Sequence, residues 1–259
     1  MTDYKHIPEW GLALFGKRDG FQVFWASSLC QYFRQTESWN KIVSLIQLPQ
    51  ESLRLAPGQE LVGMSRVVIR EEPFWLYTRY QYALDQYKRD GYKASLLACR
   101  QSVCEGDMAW QLLSEMLKVG RTSLHPEELL QVLSATDFRT EPFPPELNTN
   151  WGVYYLGEKE GISLAAFWDA AATGTLGNQE RILATQQAGV FENLDESVFK
   201  VLLGPEQLKK EAERVSYDSL VYAYEQGDSG MWQKTGHTSN AHTRQKEGWL
   251  SRLGKWFGS

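Results

Sequence analysis

Cysteine is scarce in this chain: three residues in 259, an odd number, with Cys99 and Cys104 five apart on one expected helix. No disulfide framework follows, and the spacing is too wide for a CxxC redox pair, so packed, reduced thiols are expected. Histidine is nearly as thin, at four residues. His237 and His242 stand in a Thr/Ser/Asn-rich stretch without a Cys or carboxylate cluster beside them, so neither a metal nor any other cofactor is expected. Long apolar runs are missing too; nothing approaches the roughly eighteen residues of a membrane span. The opening MTDYKHIPEW shows neither the basic segment nor the apolar run of a signal peptide, and the expected location is cytoplasmic. An excess of positive charge is also absent. The net charge of −5, with both signs interspersed, gives no field to gather a polyanion, so no nucleic-acid partner is expected.

Complete catalytic motifs are lacking as well. There is no GxSxG elbow. Thr173-Gly174-Thr175-Leu176-Gly177-Asn178 has turn glycines but no GK[ST], which excludes a phosphate loop. Gly227-Asp228-Ser229-Gly230 resembles the nucleophile motif of trypsin-like serine proteases, yet Met231-Trp232 departs from that family's glycine and proline and its histidine segment is missing. Residues 182–203 contain an Ala-Gly-Val turn like that of a helix-turn-helix, but Asp195-Glu196 would open the recognition helix and repel phosphates.

What is present is the composition of a folded protein, 42% hydrophobic and 13% aromatic. Ten tryptophans exceed what packing usually needs, and they fit either two aromatic-rich cores or a recognition surface. The chain also repeats itself. Trp10 to Gly20, WGLALFGKRDG, has a counterpart in Trp151 to Gly161, WGVYYLGEKEG, with Trp and three Gly in the same places. A Phe-Trp pair follows each copy, Phe24-Trp25 and Phe167-Trp168. The reading is an internal duplication, with the first half over 1–140, the second over 141–227, and a linker plus terminal helix over 228–259.

Within the halves, Gly16 to Gly20 reads as a tight hairpin or strand-to-helix turn. Residues 61–69, with Val67-Val68-Ile69, read as a strand, and so do 151–156. Apolar spacing predicts helices over 21–34, 39–48, 74–90, 92–104, 107–119, 123–133, 164–172, 179–187, 196–203 and 206–226. The expected fold class is therefore α+β, predominantly helical: two related halves, each a short strand/turn unit followed by helices.

Residues 228–248 are polar and low in branched side chains, as in a mobile linker. Beyond them Trp249, Leu250, Leu253, Trp256 and Phe257 share one helical face, with Ser251, Arg252 and Lys255 on the other. Such a helix can dock on its own domain, insert aromatic anchors into a partner's groove, or lie on a membrane surface. The residues expected to bind a partner are Trp249, Leu250, Arg252, Leu253, Lys255, Trp256 and Phe257.

Trp151, Tyr155, Gly157, Gly161, Ser163, Leu164, Phe167 and Gly174 stand in an order similar to that of GYF-type domains, small modules that present aromatics to proline-rich peptides. The resemblance covers some thirty residues, with Ile162 where that family has proline, and implies an interaction module without transferring binding residues. The expected function is thus non-catalytic binding of a protein partner, as an adaptor, secretion accessory or toxin-neutralising protein. Two alternatives stand beside it. One is an enzyme, such as a hydrolase, with a site assembled between the halves, to which Glu71 and Glu72, or Asp85 and Asp90 near Arg79, would contribute. The other is a peripheral membrane protein held by its terminal helix.

Overall fold

The computed structural model describes residues 7–17, 20–48, 55–84, 87–119, 125–136, 138–156, 164–172, 176, 178–186 and 199–203. The expected terminal helix, its seven partner-binding residues, the linker and the helix over 206–226 lie outside them.

The chain opens with a hairpin, β1 (Trp10–Lys17) and β2 (Phe21–Ala26), and continues into two short helices, α1 (Ser28–Arg34) and α2 (Trp39–Ile46). Gly20, at φ +86°, closes the hairpin in a conformation that suits glycine. A meander of three long strands follows, β3 (Glu60–Ile69), β4 (Glu72–Leu84) and β5 (Asp90–Arg100). Then come α3 (Gly106–Lys118), α4 (Pro126–Ser134), β6 (Asn148–Leu156), α5 (Leu164–Ala172), β7 (Gln179–Thr185) and β8 (Phe199–Leu203).

All eight strands form one sheet in the order β2-β1-β5-β4-β3-β7-β6-β8. The first six in that order pair antiparallel, whereas β6 runs parallel to both β7 and β8. Strand β6, helix α5 and strand β7 thus make a parallel crossover unit, and β7 ties it to the meander through β3.

This sheet corrects the expectation of a predominantly helical chain. Residues 21–26, 74–84, 92–100, 179–185 and 199–203, all expected to be helical, are strands. The physical reason is plainest in β4. Its alternate residues Phe74, Leu76 and Tyr80 enter one core, while Trp75 and Tyr77 enter the other. A central strand covered on both faces is apolar throughout and loses the polar alternation that distinguishes a half-exposed strand. Spacing such as Leu76, Tyr80 and Leu84 then imitates a helix face. The two Phe-Trp pairs also occupy different elements: Phe24-Trp25 is on strand β2, and Phe167-Trp168 is on helix α5.

The sheet separates two cores. On one face α1 and α2 bring Leu29, Phe33, Ile42 and Ile46 against Phe15, Leu61, Phe74 and Leu96. On the other, α3, α4 and α5 bring Leu113, Met116, Leu129, Phe167 and Trp168 against Leu12, Met64, Trp75 and Leu97. Burial of this kind contributes roughly 1.5–3 kcal/mol per large apolar side chain. No helix among the described residues is long and apolar enough to cross a membrane.

Candidate functional site at the junction of α3 and α5

Helix α5 carries one ionisable side chain in the sequence LAAFWDAAA, and its position is set by its neighbour. Trp168 is fully buried, donates its indole N–H to the Gly63 carbonyl of β3 at 2.8 Å, and meets the rings of Tyr77 and Trp110 at 6.0 and 6.1 Å. With Trp168 locked into the sheet, the next residue turns toward α3. There the half-buried Asp169 accepts a hydrogen bond from the Gly106 backbone N–H, at 3.1 Å, on the first residue of α3.

That amide is one of the four at a helix start with no partner inside the helix, and a carboxylate there also meets the positive end of the helix dipole. The two backbones come unusually close: a Cβ added at Gly106 would lie 2.0 Å from the Ala165 carbonyl oxygen, so only glycine fits.

Burial nevertheless dominates the carboxyl's chemistry. It pushes the Asp169 pKa up to about 7; the Gly106 amide and Arg139 pull it down, and Glu105 and Asp107 push it further up. Arg139 is held nearby by a backbone bridge to Val103 and pairs with Glu141. The remaining wall comes from β4, where the Tyr77 hydroxyl donates to the Cys104 carbonyl at 3.0 Å and accepts from the Cys104 N–H at 2.9 Å. Burial raises the Tyr77 hydroxyl and Cys104 thiol well above their ordinary values, so both are neutral at physiological pH. Of Asp169, Tyr77 and Cys104, it is Asp169 whose pKa is brought near neutrality.

Three further cations serve helix ends. Lys93 donates to the Leu117 and Val119 carbonyls at 3.0 and 2.9 Å, at the carboxyl end of α3. Arg66, fully buried on β3, donates to the carbonyls of Ala171 and Gln179, where α5 ends and β7 begins. Arg181 on β7 reaches through the opposite face to the Ser44 and Gln47 carbonyls at the end of α2, at 3.2 and 2.9 Å. Each places a positive charge at the negative end of a helix dipole.

The carboxylates named from the sequence do not converge. Glu72 opens β4 and accepts from the Gln101 amide, whereas Asp90 opens β5, opposite Leu84 at the far end of β4, and accepts from the Tyr82 hydroxyl at 2.7 Å. Glu71 sits with Arg70 in the β3–β4 turn, and Asp85 is outside the described residues. Arg79 pairs with Glu60 at 2.6 Å and stacks over Trp110, 3.8 Å from its centroid, away from Glu71, Glu72 and Asp90. Cys99 lies on β5 and Cys104 in the turn after it, both buried and free, as is Cys30. Among the described residues no group of three or more His, Cys, Asp or Glu is placed to hold a metal ion.

The Asp169 cluster escaped sequence reasoning because its partners at 105–107 and 139 are far away along the chain. The one available signal was a lone carboxylate in an otherwise apolar helix. No family model matches the chain, and no curated protein matches it.

Proposed function

We propose that the protein is a non-catalytic binding protein for another protein, acting in the cytoplasm as an adaptor, secretion accessory or toxin-neutralising factor. The observation that carries this reading is Phe24. It is 42% exposed, on the edge strand β2, at the irregularity where β1 and β2 slip register between Leu14 and Phe15. Bulges re-aim side chains, and an exposed aromatic is a good anchor for a partner. Strand β2, FQVFWA, carries no charged side chain, and charge is a common device for keeping an edge strand from pairing with another chain. The aromatic face of Trp249, Leu250, Leu253, Trp256 and Phe257, flanked by Arg252 and Lys255, is proposed as a second contact. Affinity capture with the intact protein, a truncation after Glu247 and the variant Phe24→Ser tests both. A protein retained by the first and lost from either variant supports the reading; recovery of the intact protein as a partner-free species counts against it.

The Asp169 cluster favours a second reading, an enzyme whose site joins residues of 1–140 to residues of 141–227. A carboxyl that exchanges its proton near neutrality is suited to general acid–base work. Conversion of a substrate that stops with Asp169→Asn in a folded protein would establish it. The terminal segment also suits a membrane surface. Liposome sedimentation unchanged by removal of residues 249–259 ends that alternative.

A further inference from the structure

Between α4 and β6 the chain reads Arg139-Thr140-Glu141-Pro142-Phe143-Pro144-Pro145, so three of its nine prolines fall within four residues. Proline fixes its own φ and steers the residue before it toward extended backbone, so Glu141 to Pro145 all favour the polyproline II conformation. The segment makes neither helix nor strand between Arg139, which bridges to Val103, and the start of β6. A polyproline II helix repeats every three residues, and exposure along the segment follows that period. Glu141, Pro144 and Leu147 are each half-buried, whereas Pro142 and Pro145 are exposed on the same edge as Arg139, whose side chain is 38% exposed. Two ties hold the segment in place. Arg139 and Val103 exchange backbone hydrogen bonds at 2.7 and 3.1 Å, and the Phe143 ring meets the fully buried Trp75 ring edge-on at 5.0 Å.

We propose that Arg139, Pro142 and Pro145 form a docking edge for a partner domain whose groove is lined by aromatic side chains and ends in an acidic pocket. The inference rests on the protein-binding reading above and adds a surface and a partner class to it. Prolines three apart on one edge of an extended helix are the form in which aromatic grooves take proline-rich segments. Arg139 stands three residues before Pro142 on that edge, where a guanidinium meets a carboxylate at the end of the groove. In the free protein Arg139 pairs with Glu141, and docking exchanges that carboxylate for the partner's. Because both ties already hold the segment extended, little conformational freedom is lost on binding.

The test is calorimetric titration of the full-length chain against purified proline-binding domains of the Src-homology type, chosen for aromatic grooves with carboxylates at one end. Saturable binding is expected, weakened about tenfold by Pro142→Ala with Pro145→Ala, at two exposed positions. Arg139→Gln weakens it about fivefold, and that loss disappears against a domain whose pocket carboxylates are changed to amides. Raised salt weakens binding of the wild type more than that of Arg139→Gln. Should the double variant not fold, Pro145→Ala, outside both ties, carries the same test with a loss of about threefold. Absence of saturable binding, proline variants that bind as the wild type does, or an Arg139→Gln loss that ignores the pocket carboxylates overturns the docking edge. If Phe24→Ser or truncation after Glu247 still releases a captured protein in that event, the protein-binding reading stands without this edge.

Discussion

On the face covered by α1 and α2, the polar ties between sheet and helix come from two hydroxyls and a guanidinium. Tyr80 donates to the Ile46 carbonyl at 2.7 Å, Ser65 to Leu45 at 3.2 Å, and Arg181 to Ser44 and Gln47. The face covered by α3, α4 and α5 has comparable fixed ties, from Lys93 and Arg66, but adds Asp169. The comparison separates two uses of buried polarity. A cation at a helix carboxyl end stabilises at any ordinary pH, whereas a carboxyl at a buried helix amino end stabilises according to whether it holds its proton.

The largest test of the shared part removes the cations. Arg66→Met and Arg181→Met each leave two carbonyls without their donor, and each lowers unfolding free energy in urea by about 3 kcal/mol. A small loss for one and a large loss for the other would mean that the two faces are not built alike. Gly106→Ala comes next. Its Cβ meets backbone rather than a side chain that can swing aside, so the variant loses about 2 kcal/mol, and its α3 and α5 amides exchange faster at all pH values.

Hydroxyl removal sharpens the contrast further. Tyr77→Phe leaves both the N–H and the carbonyl of Cys104 unpaired and costs about 2 kcal/mol, against about 1 kcal/mol for Tyr80→Phe, which loses a single donor. Thermal unfolding of the two variants at one pH measures the difference. The smallest effect belongs to the sheet itself. Arg70 and Glu71 take up positive φ, 51° and 68°, in the two-residue turn between β3 and β4, where glycine is better suited. Glu71→Gly raises the melting temperature slightly, equivalent to about 0.5 kcal/mol.

Local signals in the sequence located a turn at Gly16–Gly20, though the stretch after it was expected to be helix and not the second strand of a hairpin, together with strands β3 and β6 and helices α2, α3, α4 and α5, to within a few residues. The helix start at Pro126 was legible because proline and two carboxylates fill its first turn. What failed was the centre of the sheet, together with its two edge strands, β2 and β8. Strands β4 and β5 are long and buried on both faces, so side-chain polarity there reports burial and not periodicity. Strand β7 misled in another way: its residues Gln179, Glu180, Arg181, Leu183 and Ala184 are good helix formers, overridden by pairing on both sides with β3 and β6. The candidate site was illegible for a different reason. Nothing near Asp169 in the sequence announces Gly106, and the duplication drew attention to Phe167-Trp168 while the chemistry stood one residue further on.

The most direct measurement of the asymmetry between the faces is the unfolding free energy of the wild type and Asp169→Asn in urea, followed from about pH 4 to about pH 8. Because folding raises the Asp169 pKa from 3.8 to about 7, its contribution is complete below the ordinary carboxylate range and is lost as pH rises through about 7. Relative to the Asn variant, the wild type is therefore expected to lose about 2 kcal/mol over that range, a figure discounted for water reaching a half-buried group. A difference between the two proteins that stays constant from acid to neutral pH would contradict the account.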